Sequence, residues 1–525
     1  MTGSDTGPAA AHATRERRAV VVGGGIAGAT AALRLADAGV PTTLLESRPR
    51  LGGLAFSFRR NSPAGPLTVD NGQHVHLRCC TAYTWFLQRI GGVGLAPLQR
   101  RLDVPVLDAA GARPLLSRLR RNCLPVPMHL AASLATYRHL TPAERGRAAR
   151  AALAMDALDP ADPALDDVDF GTWLRAQGQS DRAISALWDL VGTATLNARA
   201  PHASLGLAAT VFRTGLLSAP GAADIGISRV PLGHLHDTLA RGALRAAGVN
   251  VLTQTRVRAV AATPGGGWTV SAGDGRGTAA EHYADAVVLA VPQREAHGLL
   301  PEGALPSPER LLQIGTAPIL NLHVVYDRRV LRRPFFAALG SPVQWVFDRT
   351  GPSGLGGGQY LAVSQSAAHG EIDRSVAALR ERYLPELARL LPAARTARVV
   401  DFFVTRERTA TFDPRPGVGR LRPASRTAAP GVCLAGAWTD TGWPATMEGA
   451  VRSGMTAARE ALTVMGRRYD NDQVPGTTRE GGGMISADTD GMSGRRRRTT
   501  PQDSPTAAPR SAVPARTAPN AEETP

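Results

Sequence analysis

Apolar runs alternate with glycine-rich turns in the first fifty residues of the chain. The segment Arg18–Gly28 (RAVVVGGGIAG) opens with an apolar run that ends in glycines, and TAALRLADAG follows with alanines and leucines at helical spacing. Ala32 and Leu35 fall on the face that would pack on a sheet, and Gly39 follows as a stop signal. A second run, PTTLLE, closes at Glu46. The pattern predicts a strand, a helix and a second strand of one parallel sheet.

Two later runs are almost entirely apolar. They lack the alternation of apolar and polar residues that is typical of a strand with one solvent-exposed face. They are Ala284–Pro292 (ADAVVLAVP) and Gly431–Gly436 (GVCLAG). Such runs are typical of strands buried on both faces of a parallel sheet, so we expect both to join the sheet of the N-terminal strands. The first domain is therefore predicted to be discontinuous, with the intervening segments forming something else.

Local signals predict two further helices. Thr141, Pro142 and Glu144 have the spacing of an N-cap, a first-turn proline and a capping box, which predicts a helix over residues 141–157. A second helical pattern covers residues 182–196 (RAISALWDLVGTATL).

Composition narrows the possible chemistry. The 525 residues, 43% of them hydrophobic, suffice for two or three domains with cores of their own. All 60 basic residues are arginines, so no Schiff-base, phosphate-loop or general-base lysine can operate. The four cysteines lack CxxC spacing, which fits a reducing cytoplasm and gives no reason to expect a disulfide or a metal site. No signal peptide and no run of eighteen apolar residues occurs, so we expect a cytoplasmic protein without membrane spans.

The formal net charge of +16 is concentrated in one region. Residues 100–150 hold ten arginines against Asp103, Asp108 and Glu144, together with the apolar segment LPVPMHLAASLATY. Basic and apolar residues mixed in this way suit an anionic membrane surface better than nucleic acid, for which few stacking aromatics are present. A solvated, arginine-rich helical face is the alternative interpretation.

The first glycines have the spacing of a dinucleotide fingerprint. Gly23, Gly25 and Gly28 complete G-x-G-x-x-G between the first strand and its helix. The first glycine permits a tight turn, the second lets the backbone approach a pyrophosphate, and the third allows close packing of helix on strand. Glu46, at the end of the second strand, is placed to accept hydrogen bonds from a ribose diol. We therefore predict one dinucleotide site, and the absence of a second fingerprint argues against a separate nicotinamide domain.

Motifs spread along the chain carry a family resemblance. Beside the fingerprint stand the doublet RLGG, the closing LAGAWTDTGWPATMEGAVRSG, and the more specific DNGQH (Asp70–His74), LWDLVGTATLN (Leu187–Asn197), ISRVPLGHL (Ile227–Leu235) and PVQWVFDR (Pro342–Arg349). By these motifs the chain, from about residue 18 to 458, resembles the superfamily of flavin amine oxidases and carotenoid desaturases. Within it, the chain is most similar to the squalene-associated FAD-dependent desaturases, also called hydroxysqualene dehydroxylases.

The resemblance implies an α/β fold with a Rossmann-type FAD-binding domain and a discontinuous α+β substrate domain. It implies FAD as the cofactor, with Val257 beside the adenine and with Thr446 and Met447 opening a helix that faces the flavin pyrimidine. The family usually has an acid after LAG, where this chain has Ala437. The implied FAD contacts are Gly23, Gly25, Ile26, Ala27, Gly28, Glu46, Arg48, Gly52, Gly53, Leu54, Val257, Gly436, Thr446 and Met447.

The predicted segments follow from the motifs and from composition. They are a disordered N-terminus (1–17), three pieces of the FAD-binding domain (18–98, 230–300 and 411–463), a helical part facing substrate and membrane (99–229), a sheet part of the substrate domain (301–410) and a disordered tail (464–525).

The implied reaction is reduction of hydroxysqualene to squalene, in which reduced FAD supplies a hydride and the hydroxyl leaves as water. A general acid must protonate the leaving hydroxyl, and the developing allylic cation requires a pocket that excludes water. His74 and Asp440 are the favoured acids, and His323 and Asp348 are less favoured.

Substrate contacts are open to two interpretations. Asn71, Gln73 and His74 either face the flavin and the substrate or brace the turn beneath the flavin. Aromatic residues either wall a tunnel for the isoprenoid or belong to the ordinary core. The tunnel residues are predicted to be Trp188, Trp345, Phe347 and Trp443.

Three competing functions remain at this point. A carotenoid-type (phytoene) desaturase would oxidise its lipid with the same cofactor, and a flavin amine oxidase would have to work without the lysine often placed near its flavin. A non-enzymatic FAD-fold scaffold in a terpenoid complex is the third. The expected partners are the isoprenoid substrate, an anionic membrane surface and other squalene-pathway enzymes, and nucleic acid is not expected.

Overall fold

The computed structural model describes residues 16–111, 113–274 and 279–469, all of which lie in the unit Met1–Thr477 of the chain. The strands are β1 (Ala19–Val22), β2 (Thr42–Leu45), β3 (Ser57–Ser62), β4 (Gly65–Asp70), β5 (Val75–Leu77), β6 (Asp103–Asp108), β7 (Leu115–Arg120), β8 (Ile225–Ile227), β9 (Asn250–Leu252), β10 (Thr255–Ala262), β11 (Trp268–Asp274), β12 (Ala279–Ala284), β13 (Ala286–Leu289), β14 (Ala317–Tyr326), β15 (Phe335–Leu339), β16 (Trp345–Asp348), β17 (Gln359–Gln365), β18 (Val399–Thr411) and β19 (Val432–Leu434).

Fourteen α-helices occur in the same described ranges, joined in places by turns of other helix types. Single π-helical segments occupy Ile184–Trp188, Arg213–Leu217 and His234–Leu239. The α-helices are α1 (Ile26–Asp37), α2 (Thr81–Arg89), α3 (Ala131–Ala135), α4 (Pro142–Asp156), α5 (Phe170–Ala176), α6 (Asp181–Ala183), α7 (Asp189–Leu196), α8 (Leu205–Phe212), α9 (Ala240–Ala246), α10 (Gln293–Leu299), α11 (Arg310–Gln313), α12 (Thr350–Ser353), α13 (Val376–Leu390) and α14 (Met447–Val464).

Five parallel strands from distant parts of the chain form the first sheet, in the order β19-β13-β1-β2-β9. Val21 faces the cluster that includes α1 and α14, whereas Val20 and Val22 face the opposite cluster with the antiparallel β10-β11-β12 sheet. Both sides are therefore covered, which explains why β13 and β19 are apolar throughout. The prediction that these two runs join the first sheet is confirmed.

A second, seven-stranded sheet has the order β18-β14-β17-β16-β15-β6-β7, in which only the β15–β6 pair is parallel. Its alternating residues divide between two cores. Leu320, Leu322 and Val363 pack with α13 on one face, and Phe335 and Phe347 belong to the core on the other face. The structure thus confirms an α/β fold with a nucleotide-type sheet and a separate mixed sheet.

Two predicted helices are confirmed, and one boundary needs correction. Thr141 caps α4 with the predicted capping box, and the chain is helical from Asp181 to Leu196 with a π-helical turn inside. The predicted tail begins too early, because α14 continues through Val464 and the Tyr469 ring lies 4.5 Å from the Arg34 guanidinium. The remainder of the predicted tail, and residues 1–15, lie outside the described residues.

Among the helices described, none combines the length and the apolar character needed to cross a bilayer.

Candidate active site

A glycine loop joins β1 to α1 at the carboxyl edge of the first sheet. Gly23 has a φ of +103°, and a Cβ there would lie 2.4 Å from the Ala290 carbonyl oxygen. A Cβ on Gly28 would lie 1.9 Å from the Gly23 carbonyl oxygen. The loop is therefore a tight turn packed against its own helix, which begins at Ile26 and directs its first amides toward this edge.

Glu46 closes β2 beside this loop. Its carboxylate accepts hydrogen bonds from the Gly24 amide and from the Arg48 amide, each at 2.7 Å. The Thr255 amide donates to the Glu46 carbonyl oxygen at 2.9 Å, which places the start of β10 alongside. Glu46, predicted to contact the ribose, therefore lies beside the first residue of β10, the strand that carries Val257, predicted to contact the adenine.

The GG doublet faces the glycine loop. The Gly52 amide donates to the Gly24 carbonyl oxygen at 2.9 Å, and a Cβ on Gly53 would lie 3.0 Å from the Gly25 Cα. We call the space between the glycine loop and the GG doublet the cradle. Side chains at these glycines would fill it, so it is lined by backbone, as close approach to a diphosphate requires. Leu54 follows with 47% of its surface exposed. The residues fit the diphosphate of a dinucleotide.

The closing motif reaches the same edge from the far end of the chain. α14 lies on α1, where a Cβ on Gly454 would be 2.2 Å from the Ala27 carbonyl oxygen. Thr446 caps α14 by accepting a hydrogen bond from the Gly449 amide at 3.1 Å, as predicted for a helix that opens at Met447. The two segments predicted to bind one cofactor are therefore packed against each other.

Glu448 in α14 caps a second helix, which the sequence did not indicate. Its buried carboxylate accepts hydrogen bonds from the Ala82 and Tyr83 amides at 3.2 and 2.7 Å, and it pairs with Arg452 at 2.7 Å. A carboxylate at the N-terminus of α2 is stabilising because it complements the helix dipole. The contact fixes the N-terminus of α14 against a segment more than 360 residues earlier in the chain.

Arg422 organises the loop between β19 and α14. Its buried guanidinium donates to backbone carbonyl oxygens around the turn, and burial lowers the pKa of Arg422 to about 10, so it stays charged at neutral pH. The residues whose carbonyls accept are Ala437, Trp438, Thr439 and Trp443. The Arg422 guanidinium therefore holds the shape of this loop. It does so through backbone carbonyl groups, without an acidic side chain at position 437. A lone arginine in RLRP carries no pattern, and for this reason the sequence did not reveal it.

Asp70 links the DNGQH motif to two other motifs of the chain. Its carboxylate forms a buried ion pair with Arg349 at 2.7 Å, and the two side chains are 5% and 6% exposed. Arg349 also donates to the Ser228 carbonyl oxygen at 2.7 Å, and Asp70 accepts from the Leu232 amide at 2.9 Å. Three of the family motifs, DNGQH, ISRVPLGHL and PVQWVFDR, are thus held together by one ion pair.

Asn71 makes the contacts of a bracing residue. Its Oδ1 accepts from the Phe56 amide at 3.0 Å, and its Nδ2 donates to the Leu54 carbonyl oxygen at 2.9 Å. These bonds tie the end of β4 to the residues that follow the GG doublet. Of the two interpretations of Asn71, its contacts favour the bracing role.

Gln73 and His74 lie beyond that brace. The Nε2 atom of Gln73 is buried and has no hydrogen-bond partner among the described residues, which leaves it free to bind a ligand. The His74 Nδ1 lies 3.3 Å from the Gly72 carbonyl oxygen, and burial lowers the pKa of His74. A neutral imidazole is a poor proton donor at neutral pH, so the catalytic role of His74 stays a prediction.

The remaining candidate acids differ in exposure. Asp440 is exposed on the Arg422 loop, where it accepts from the Gly442 amide at 3.3 Å, and its catalytic role also stays a prediction. Asp348 is fully engaged, because it accepts from the Thr350 hydroxyl at 2.6 Å and from the Gln359 amide group at 2.7 Å.

His323 is a core residue of the second sheet. Its ring nitrogens lie 2.6 Å from the Tyr360 hydroxyl and 3.0 Å from the Thr405 hydroxyl, and the ring stacks on Phe403 at 4.5 Å. Burial lowers the pKa of His323 to about 3. Its contacts are those of a neutral structural histidine.

The four predicted tunnel aromatics fall into three groups. Trp188 is buried against Phe170 and Phe212 and has the surroundings of a core residue, and Trp443 lies 4.8 Å from the Arg452 guanidinium. The rings of Trp345 and Phe347 stack at 6.2 Å on the second sheet. Trp345 packs against the same hydrophobic cluster as partly exposed apolar side chains from other elements, which are Leu77, Leu187, Leu216 and Ile227. Only this last group combines aromatic and exposed apolar surface.

His236 joins the segment after the GG doublet to α2. Its Nδ1 lies 3.0 Å from the Ala55 carbonyl oxygen and must carry the proton, so its Nε2, at 2.8 Å, accepts from the Tyr83 hydroxyl. Burial lowers the pKa of His236 to about 4. Protonation would remove the acceptor for Tyr83.

We expect acidification to destabilise the protein through His236. Below pH 6.5 the unfolded chain binds a proton that the folded chain excludes, so the free energy of unfolding falls between pH 6.5 and about 4, by up to about 1.4 kcal/mol per pH unit for this residue. Urea unfolding at pH 6.5 and 4.5 should show a shallower pH dependence for His236→Gln than for the unmodified chain. The exposed His369→Gln serves as control, and equal slopes in all three proteins would contradict the assignment.

Comparisons with known proteins agree with this geometry. The sequence model described as flavin containing amine oxidoreductase matches residues 26–462. The hydroxysqualene dehydroxylase of Rhodopseudomonas palustris is 32% identical over 83% of this chain and 96% of its own length. The 15-cis-phytoene desaturase of Narcissus pseudonarcissus is 26% identical over 84% of this chain and 79% of its own. The structure of a putrescine oxidase bound to putrescine superposes with a TM-score of 0.63 at 21% identity, covering 86% of this chain and 99% of that one.

Proposed function

Because the chain belongs to the flavin containing amine oxidoreductase family, we propose that it is the member that reduces hydroxysqualene to squalene. That it is an FAD-dependent oxidoreductase follows from the family itself. The specific reaction is supported by the likeness to a hydroxysqualene dehydroxylase along 96% of that protein. The observation in the structure that supports it most is the apolar wall of Trp345, Leu187, Leu216 and Ile227, which suits a hydrocarbon substrate.

Each part of the site has a task in this reaction. Reduced FAD, when bound, supplies hydride chemistry. Gly25, Gly53 and Glu46 would hold the cofactor by its diphosphate and ribose, and Thr446 with Met447 would set the helix end that faces the flavin. The apolar wall excludes water while the allylic carbon becomes cationic. A carotenoid-type desaturase is the second candidate because a phytoene desaturase matches 84% of the chain, and it would run in the oxidative direction.

Product analysis under anaerobic conditions tests the proposal. The FAD-loaded protein is reduced chemically and mixed with hydroxysqualene, and in a parallel sample the oxidised protein is mixed with phytoene. We expect squalene in the first sample, with return of the oxidised flavin spectrum, and no desaturated product in the second. Conversion of phytoene without conversion of hydroxysqualene would favour the desaturase instead.

We further propose that the substrate is drawn from an anionic membrane surface. Leu116, Leu124 and Met128 are 44%, 49% and 53% exposed, and the Arg120 side chain between them is 61% exposed. We call these four residues the basic apolar patch. Leu130, two positions beyond Met128, packs against the same hydrophobic cluster as Trp345, which supports a link between the patch and the apolar wall. Apolar side chains beside arginines have complementary partners in acyl chains and acidic headgroups.

Vesicle binding tests the patch. Arg120→Gln should weaken binding to vesicles that contain acidic lipid by about fivefold at low salt, since one arginine near such a surface contributes about 1 kcal/mol. Leu124→Ser should weaken binding at all salt concentrations. Leu312, which is 48% exposed elsewhere, provides the matched control Leu312→Ser. Without vesicles, the unmodified protein and the variants should all stay in the supernatant after sedimentation. Failure of the unmodified protein to bind acidic vesicles would contradict this part of the proposal.

A further inference from the structure

Glu407 is a carboxylic acid beside Asn71 that no motif singled out. It lies on β18 directly opposite Ile319 of β14, two residues after Thr405 and therefore on the same face of the second sheet. The Thr405 hydroxyl donates to the Asn71 carbonyl oxygen at 2.9 Å. The Asn71 side chain interacts with the Glu407 carboxyl group and lowers its pKa. Glu407 thus lies beside the end of β4, which Asn71 ties to the residues that follow the GG doublet.

The surroundings of Glu407 favour a carboxyl group that keeps its proton. Burial raises the pKa of Glu407, against the smaller lowering effects of the Asn71 side chain and the Arg50 guanidinium. Arg50 is itself engaged, because it donates to the Gly53 carbonyl oxygen at 3.1 Å and lies over the Phe56 ring at 3.4 Å. A raised pKa favours the protonated form of a carboxyl group, which is the form that a proton donor requires.

We propose that Glu407 is the catalytic acid that protonates the departing hydroxyl group of the substrate. The inference rests on the proposed reduction of hydroxysqualene. In the step, the carbon–oxygen bond of the allylic alcohol breaks, its oxygen takes the proton of Glu407 and leaves as water, and the carbon receives a hydride from the two-electron-reduced flavin, which becomes oxidised. An external two-electron donor then reduces the flavin again, and solvent returns a proton to Glu407.

The other acids meet this requirement less well. Burial lowers the pKa of His74, which disfavours its proton-donating form, and Asp440 is exposed to solvent on the loop between β19 and α14. Glu407 is half-buried on the same sheet face as Trp345, since Asn321 pairs with Thr405 on one side and with Ser364 on the other, and Ser364 pairs with Trp345. One sheet face therefore leads from the acid to the aromatic part of the apolar wall.

Single-turnover kinetics of the FAD-loaded protein test the proposal. Glu407→Gln should keep the flavin spectrum and the unfolding temperature but slow the oxidation of the reduced flavin by hydroxysqualene about 10²- to 10⁴-fold. In the unmodified protein the rate should fall as pH rises through the pKa of the acid, and in Glu407→Gln it should be independent of pH in that range. Glu407→Asp should restore part of the rate and the pH dependence.

An infrared measurement gives a readout that does not depend on turnover. The carbonyl band of a protonated carboxyl group should be present in the unmodified protein at neutral pH and absent in Glu407→Gln, while Glu381→Gln, at an exposed site, should keep both band and rate. If the unmodified protein converts hydroxysqualene and Glu407→Gln does so equally fast, the assignment of Glu407 is wrong and the proposed function stands. If the unmodified protein does not convert it, the proposed function fails and the assignment with it.

Discussion

Replacing Arg349 by methionine is expected to lower the free energy of unfolding by about 3–5 kcal/mol. The substitution leaves the Asp70 carboxylate buried without its cation and removes the donors to the Ser228 and Val230 carbonyl oxygens. Removing one partner of a buried ion pair is costly because the remaining charge has lost both its counter-ion and its water. Chemical denaturation of the purified variant at neutral pH measures the change directly.

A double-mutant cycle separates the ion pair from general damage to the core. Asp70→Asn combined with Arg349→Met should be more stable than the sum of the single changes predicts, since no unpaired charge remains. Arg17→Met is the matched control, because Arg17 pairs with Asp285 at 3.0 Å while its side chain is 54% exposed, and it should cost less than about 1 kcal/mol. Strictly additive effects of Asp70→Asn and Arg349→Met would contradict the coupling.

Alanine at position 25 is expected to weaken FAD binding by at least about tenfold, since a displaced backbone hydrogen bond to a charged group is worth roughly 1.5–3 kcal/mol. Gly25 has a φ of −68°, which alanine adopts without strain, and its Cβ would meet nothing nearer than the Gly53 Cα at 3.7 Å. The protein should therefore fold, with a methyl group standing in the cradle where a diphosphate has to approach. Titration of the apoprotein with FAD, followed by flavin fluorescence, measures the affinity.

Two other glycines calibrate that experiment. Gly146→Ala in α4 meets no atom within 4 Å and should leave FAD affinity unchanged. Gly28→Ala should damage the fold itself, because its Cβ would lie 1.9 Å from the Gly23 carbonyl oxygen. Unchanged affinity in Gly25→Ala, with a normal unfolding temperature, would show that the diphosphate does not enter between Gly25 and Gly53.

Elements set by local periodicity were predictable from the sequence. The secondary structure of β1, α1 and β2 is specified by the spacing of apolar residues within each segment. That of α4 is specified by its own capping box. The glycines of the cradle were predictable because their spacing is a motif local to the chain, although the steric need at Gly23 and Gly53 comes from Ala290 and Gly25 in other segments. The motifs also located Glu46 and Thr446 correctly at the ends of their elements.

The contacts that assemble the site were not predictable, because they join residues far apart in the chain. Asp70 and Arg349 are 279 positions apart, and each is an ordinary charged residue until the other is beside it. Arg422 and Glu448 likewise gain their roles from backbone groups of other segments. Trp188 was predicted to line a tunnel but is buried in the core. The sequence around a large aromatic residue in a helix does not indicate whether the ring faces the core or a ligand.

The order of the parallel sheet also constrains how the protein is made. β19 pairs with β13 only after Leu434 has left the ribosome, and α14 follows later still, so the nascent chain carries an unfinished sheet through most of its synthesis. A translation product that stops before Val432 leaves β13 with an unpaired edge, and such an edge can recruit strands from other chains. The exposed edge of β13 is therefore open to such pairing until the last strand of the sheet, from Val432 to Leu434, has been added.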